Sequence, residues 1–259
     1  MRAPAASLIV VIALAAGAVA GCGGVVKTVE RSTKVEEPYG RAPTVEVDPP
    51  DPSLAGSAVA AQAARSVVKV HGVANACQKN LEGSGFVFLP GRVMTNAHVV
   101  AGANDVTVSV GDEEHAATVV AYDPNADISV LDVPGLQAPA LSIAQGIAPN
   151  GSDALILGYP GGGPFEASPA RIREVIELNG PDIYRSTTVT RQVYVIRGNV
   201  RQGDSGGPLI DVNGSVLGLS FGAAVDDPDT SFALTGEQVF AQAAGANRSQ
   251  PVATGDCVR

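Results

Sequence analysis

The sequence predicts an all-β domain built as two lobes behind an N-terminal export segment, and three observations carry that expectation. Short runs rich in Val, Ile, Thr and Phe, each closed by Gly, Pro, Asn or Asp, recur from about residue 65 to about residue 243. The 259 residues include no Trp, two Met, six Phe and five Tyr, which leaves a core of Val, Ile, Leu and Ala, residues at home on a pleated surface. Thirty glycines are available to turn tight corners between short strands.

The elements follow in order. "MRAPAASLIVVIALAAGAVAGC" carries Arg2 and an apolar run, Leu8 to Ala20, too short to span a bilayer comfortably and ending in small residues, so residues 1–21 read as an export signal. Val19-Ala20-Gly21-Cys22 resembles a bacterial lipobox, which makes Cys22 the expected lipidation site and predicts an anchor on the outer face of the cytoplasmic membrane. Prolines and mixed charges replace any apolar period over 22–54, a flexible tether. A short Ala-rich helix over about 53–65 then leads into one domain, 55–259.

"SVVKVHGV", "GSGFVFLPGRVMTNAHVV", "DVTVSVGD" and "HAATVVAYDPNADISVLDV" fit strands of a first lobe, about 65–135. "DALILGYP", "RIREVIELNG", "RQVYVIRG", "GPLIDVNGSVLGLSFG" and "TSFALTGEQV" fit a second, about 140–245. Asn213-Gly214 signals a hairpin of the type I′ kind, and "GEQVFAQAAG" a short closing helix.

Charge narrows the function. A net charge of -9 leaves no clustered Lys and Arg for a phosphate backbone, so no nucleic-acid partner is expected. With Cys22 lipidated, Cys77 and Cys257 remain as an even pair in an oxidising compartment, and a disulfide between them is the default. "GYPGGGP", Gly158 to Pro164, lacks the Lys-Ser or Lys-Thr of a phosphate loop and reads as a turn or cleft edge. No HExxH or CxxC spacing occurs, so neither metal nor other cofactor is expected.

The chemistry concentrates in "RQGDSGGPLI". Glycines flank Ser205 and free the backbone to turn its N–H groups toward one point, as acyl transfer requires. A serine hydroxyl needs a base, and the base an orienting acid. Of three histidines, His71 sits in an alternating strand and His115 in a charged turn, whereas His98 closes the apolar strand of "VMTNAHVV". For the acid, Asp127 opens "DISVL", while Asp123 and Asp132 read as turn or surface carboxylates. Chain order decides among serine-hydrolase plans. No histidine follows Ser205, which excludes the α/β-hydrolase elbow, and the Asp before His98 falls only in the tether, which excludes the subtilisin order. His98, Asp127, Ser205 is the order of the chymotrypsin-like double barrel.

"TNAHVV", "DISVL" and "GDSGGPL" together resemble the trypsin-like and HtrA-type serine proteases. More narrowly, the tract from about Val67 to Cys257, with "RVMTNAHVVAGANDVTV", "LGYPGGGPF", "PARIREVIELNGPDIY" and "QGDSGGPLIDVNGSVLG", is similar to the periplasmic domain of actinobacterial MarP-type acid-resistance proteases. The resemblance implies a double six-stranded β-barrel with short N- and C-terminal helices. It implies His98 as general base, Asp127 as orienting acid, Ser205 as nucleophile, an oxyanion hole from the Gly203 and Ser205 amides, and a Cys77–Cys257 disulfide. At the N-terminus this chain departs from that family, which carries several membrane helices there, so membrane-domain signalling is not carried over.

In proteases of this fold the residue six before the nucleophile often forms the base of the first specificity pocket; here that is Asn199, with Ser220-Phe221-Gly222 as the opposite wall. Neither brings a carboxylate, so cleavage after neutral or apolar residues rather than Arg or Lys is expected. The expectation is an exported, membrane-tethered, monomeric serine endopeptidase acting on protein or peptide substrates of the cell envelope. The competing readings are a protease-shaped binding or chaperone module with a poorly aligned triad, and an esterase on the same fold.

Overall fold

The computed structural model describes residues 45–243 and 248–258. The export signal over 1–21, Cys22 and the tether as far as residue 44 lie outside the described residues. The remainder of the expected tether is held: the backbone carbonyls of Val45 and Val47 accept hydrogen bonds from Arg173 Nη1 (3.0 Å) and Arg197 Nη1 (2.7 Å). Packing therefore starts well before residue 54, because long cationic side chains reach carbonyls that any sequence would present. The expected 53–65 helix is broken. A 3-10 turn over Pro52–Gly56 ends where Ser57 becomes extended and caps α1, Ala58–Ala63, by accepting from the Ala60 N–H.

Six strands close the first barrel: β1 Val67–Ala74, β2 Lys79–Leu89, β3 Arg92–Thr95, β4 Asp105–Val110, β5 Glu113–Asp123 and β6 Ile128–Asp132. They run in the order β1-β2-β3-β6-β5-β4, every recorded pairing antiparallel. Six more close the second: β7 Asp153–Gly158, β8 Glu166–Pro181, β9 Thr188–Arg197, β10 Pro208–Asp211, β11 Val216–Ala223 and β12 Thr230–Thr235, ordered β10-β11-β12-β9-β8-β7. Helix α2, Gly236–Ala243, follows directly. Closure removes exposed sheet edges and needs no helical cover.

Why the strands read as near-continuous apolar runs is plain from where their two faces go. Along β9, Tyr194 and Ile196 fill the second barrel while Val193 and Val195 join a separate cluster with Phe86, Met94 and Ile128 of the first barrel and Ala60 and Ala63 of α1. Strand β7 divides likewise, Ala154 and Ile156 inward, Leu155 and Leu157 toward that shared layer. A third cluster, including Val68, Val70, Val93 and Leu131, fills the first barrel. A side chain of this size contributes about 1.5–3 kcal/mol when fully buried, so this shared layer is a substantial weld between the lobes.

Asn213-Gly214 does turn the hairpin between β10 and β11, but not as type I′. Only Gly214 is left-handed (φ +86°), its N–H donates to Asp211 O (3.1 Å), and Asp211 Oδ1 accepts from the Asn213 and Ser215 amides (2.8 Å each). The aspartate side chain has replaced the second left-handed residue as the organiser of the turn.

Candidate active site

His98 is delivered by a 3-10 turn, Ala97–Val99, directly after β3. Its neighbours Ala97 and Val99 are buried, so the turn is pinned by both flanks while the imidazole keeps 30% of its surface. Asp127 comes from the turn between β5 and β6. There Asp123 Oδ1 accepts the amides of Asn125 and Ala126 (2.9 Å each), and the chain leaves the turn with Asp127 left-handed at φ +59°. That conformation costs most residues about 1–2 kcal/mol, and Asp is among the few that tolerate it.

Four hydrogen-bond contacts hold Asp127 there. Its Oδ1 accepts from the His98 backbone N–H (3.0 Å), His98 Nδ1 lies 2.8 Å from its Oδ2 and 3.1 Å from its Oδ1, and its carbonyl accepts from Asn96 Nδ2 (2.8 Å). Nδ1 is thereby the donor and Nε2 is left with the lone pair. Burial pulls the imidazole pKa down, but the charge and hydrogen bonding of Asp127 outweigh it, and the net value stands above that of an ordinary histidine.

The turn carrying Ser205 lies against these residues. Gly203 (φ +96°) and Gly206 (φ +85°) are left-handed. A Cβ on Gly203 would stand 2.5 Å from Tyr159 O, and one on Gly206 would collide with Ser84 O of β2 and with Thr95 Oγ1 at the end of β3, the strand that leads to His98. Only glycine fits at either place. Of the five amides from Gly203 to Gly207, three are spent inside the fold: Asp204 on Arg201 O, Gly206 on Ser220 O and Gly207 on Asp204 O, each at 2.9 Å. Among the described residues the Gly203 and Ser205 amides have no acceptor, and Ser205 Oγ makes no hydrogen bond.

Several neighbours escaped sequence reasoning. Ser84, fully buried on β2, donates from Oγ to Gly203 O (2.7 Å), accepts there from Tyr159 N–H (2.9 Å), and donates its own N–H to Ser205 O (2.8 Å). The signal was Gly83-Ser84-Gly85, glycines inside a strand, which mark close backbone approach. Asp204, 2% exposed, accepts the Arg201 N–H at Oδ2 (2.9 Å) beside the Arg201 guanidinium (3.8 Å). Burial raises its pKa despite that cation.

The other candidates are placed as follows. Ser220 is buried beside the serine turn, donating its N–H to Gly207 O. Asn199, expected at a pocket base, is exposed just after the bend at Gly198, and the next residue, Val200, turns inward and donates its N–H to Ser231 Oγ. Phe221, expected in the pocket wall with Gly222, packs into the layer between the barrels, 6.2 Å from Phe232 between ring centroids. His71 pairs across β1 and β2 with Glu82, and His115 lies half-buried in β5 near Glu113 rather than in a solvated turn. Asp132 pairs with Arg92. Cys77 and Cys257 form a disulfide, Cα atoms 6.5 Å apart. Among the described residues no three His, Cys, Asp or Glu side chains gather as a metal site, and no helix is long and apolar enough to cross a membrane.

Against this geometry stand the known proteins. A family profile described as a trypsin-like peptidase domain matches residues 83–219. Serine protease Rv3671c of Mycobacterium tuberculosis is 56% identical over 225 residues, which cover 86% of this chain and 57% of the relative. The crystal structure of that protease in its active form superposes with a TM-score of 0.83, covering 87% of this chain and all of the solved one. A probable periplasmic serine endoprotease, DegP-like, of Pseudomonas putida is 32% identical over 143 residues, 53% of this chain and 28% of the relative. This chain thus spans little more than half the length of that Mycobacterium tuberculosis relative.

Proposed function

Since the chain belongs to the trypsin-like peptidases, we propose that it is an exported serine endopeptidase that cuts cell-envelope proteins through His98, Asp127 and Ser205. The observation that carries the reading is the pair of unspent amides, Gly203 and Ser205, in a turn whose other amides are consumed and which abuts the His98 turn.

The mechanism follows from those atoms. Nε2 of neutral His98 takes the Ser205 proton as Oγ attacks the peptide carbonyl, while Asp127 holds the tautomer and stabilises the imidazolium. The carbonyl oxygen gains charge and meets the two amides, a contribution worth about 3 kcal/mol per donor. The imidazolium then protonates the leaving amine, and water hydrolyses the acyl-enzyme by the same base. Ser220, hydrogen-bonded to the serine turn, brings no carboxylate, which favours neutral residues over Arg or Lys before the cut. Envelope location is supported by the apolar run and lipobox of residues 8–22 and by the periplasmic relative.

A second reading, a protease-shaped binding module, is favoured by one observation, the absence of a hydrogen bond at Ser205 Oγ among the described residues. Such bonds are often long before substrate closes them. Labelling of the full chain with a fluorophosphonate, lost in Ser205→Ala and His98→Ala, is the expected result; a wild-type chain that stays unlabelled, oxidised or reduced, moves the assignment to the binding module.

A further inference from the structure

The Tyr159–Gly162 loop, a glycine-rich turn with no phosphate-loop lysine, sits between the two barrels and is gripped from both. From the first barrel come three contacts. Tyr159 Oη donates to Val67 O (3.2 Å), Tyr159 N–H donates to Ser84 Oγ (2.9 Å), and Lys69 Nζ donates to Gly162 O (2.6 Å) while lying 5.5 Å from the Tyr159 ring centroid. Lys69 and Ser84 are direct partners across β1 and β2, so their side chains share one face of the sheet. On its other side the loop touches the serine turn: Gly161 N–H donates to Gln202 O (2.7 Å), and Gly203 packs against Tyr159 O and Gly161 N.

The Gln202 carbonyl belongs to the same peptide unit as the Gly203 N–H. A trans peptide is planar, with its C=O and N–H pointing in opposite directions. A donor that fixes the carbonyl on the loop side therefore fixes the Gly203 N–H on the opposite side, away from the loop. Without that donor the unit is free to rotate, and a rotated unit presents a carbonyl where the N–H had been. The Gly161 amide is aimed in the same way: the Gly162 carbonyl that Lys69 holds shares a peptide unit with the Gly163 N–H, which donates to Pro160 O (3.0 Å), and Pro160 O shares a unit with the Gly161 N–H.

We propose that Lys69 is a positioning residue: by holding the Gly162 carbonyl it aims the Gly161 amide at Gln202 O and so sets the orientation of the Gly203 N–H, the donor assigned above to the oxyanion. This rests on the serine-protease reading. It also makes the first barrel, which supplies His98 and Asp127, the support for a donor carried by the second.

Lys69→Met keeps the length and apolar stem and removes the cation. The expected result is a kcat roughly tenfold or more below wild type, KM within about twofold, and the affinity for a peptide boronic acid falling in step with kcat/KM, since only the charged adduct uses the donor. Lys69→Arg, which retains a cation, is expected to recover a large part of kcat. In the Ser205→Ala chain, where no turnover is needed, the Gly161 and Gly203 amide NMR resonances are expected to move on adding Lys69→Met. A Lys69→Met enzyme with kcat within twofold of wild type, or unmoved amide resonances, overturns the proposal. So does a loss that follows melting temperature alone and is equal in Lys69→Arg. A wild-type chain without turnover overturns the protease reading instead, and the amide resonances still decide the role of Lys69.

Discussion

The Asp127 carboxylate holds both the backbone and the ring of His98, with Oδ1 accepting the backbone N–H at 3.0 Å and Nδ1 lying 2.8 Å from Oδ2 and 3.1 Å from Oδ1. These contacts remove the freedom of the imidazole to slide along the carboxylate. They also mean that Asp127 cannot be lost without loosening the turn.

The pH dependence has a definite sign. The folded pKa of His98 lies above its ordinary 6.5, with burial opposing and Asp127 prevailing. Because the base must be neutral, kcat/KM is expected to fall as pH drops through that raised value, and the acid limb lies above 6.5. In Asp127→Asn the burial remains and the charge is gone, so the limb is expected to move below 6.5 while kcat falls by about 10⁴. The same shift gives folding a favourable contribution below pH 6.5 that disappears as pH rises through the folded value. A pH–rate profile of both proteins checks the order of the limbs.

Ser84→Ala deletes a donor to Gly203 O and an acceptor for Tyr159 N–H, leaving two buried polar groups without partners. Each costs about 1–3 kcal/mol. The expected outcome is a clear loss of stability by denaturant unfolding together with a kcat loss larger than the KM change, since Gly203 carries a donor to the developing charge.

Arg201→Ala leaves the nearly buried Asp204 carboxylate with its Arg201 N–H bond but without the neighbouring cation. The folded pKa of Asp204 is already raised by burial, so its charge disfavours folding near neutrality and the penalty is relieved as pH falls toward 3.8. Removing the cation enlarges that penalty. The melting temperature of Arg201→Ala is expected to fall more, relative to wild type, at pH 7 than as pH approaches 3.8. Glu166→Ala, which removes the exposed partner of Arg201, is expected to cost under about 1 kcal/mol.

What the sequence disclosed and what it hid divide along a physical line. The proposed triad, His98, Asp127 and Ser205, stands in short motifs because such chemistry needs special local backbone: a strand end, an aspartate that accepts φ +59°, a turn of glycines. The double barrel followed from the order of those motifs and from the family resemblance that they carry. Counting six residues back from Ser205 lands on an exposed Asn199 beside an inward Val200, and a count along the chain carries no backbone direction. Ser84, Lys69 and the anchoring of residues 45–47 by Arg173 and Arg197 were hidden for another reason. Each acts on a backbone atom far along the chain, and a carbonyl leaves no mark in sequence.

The disulfide joins several hydrogen bonds in tying the C-terminal segment to the barrels. Before Cys257, Val252 N–H donates to Val119 O (2.9 Å), Gly102 N–H to Thr254 O (3.0 Å), and Thr254 Oγ1 to Ala103 O (3.0 Å), all on the first barrel, while Tyr184 Oη reaches Thr254 O (3.4 Å) from the second. Cys77 and Cys257 are 180 residues apart, and closing so long a loop restricts the unfolded chain by up to about 5 kcal/mol in the chain-entropy account. Tyr122 Oη, 2.6 Å from Tyr184 Oη, couples this segment to β5, which runs into the Asp127 turn. Cys77→Ala/Cys257→Ala is therefore expected to melt well below the oxidised wild type, and hydrogen exchange is expected to quicken first at Gly102 and Val252. Exchange that quickens uniformly across both barrels would mean that the bridge restrains only the unfolded chain and that the tail does not depend on it.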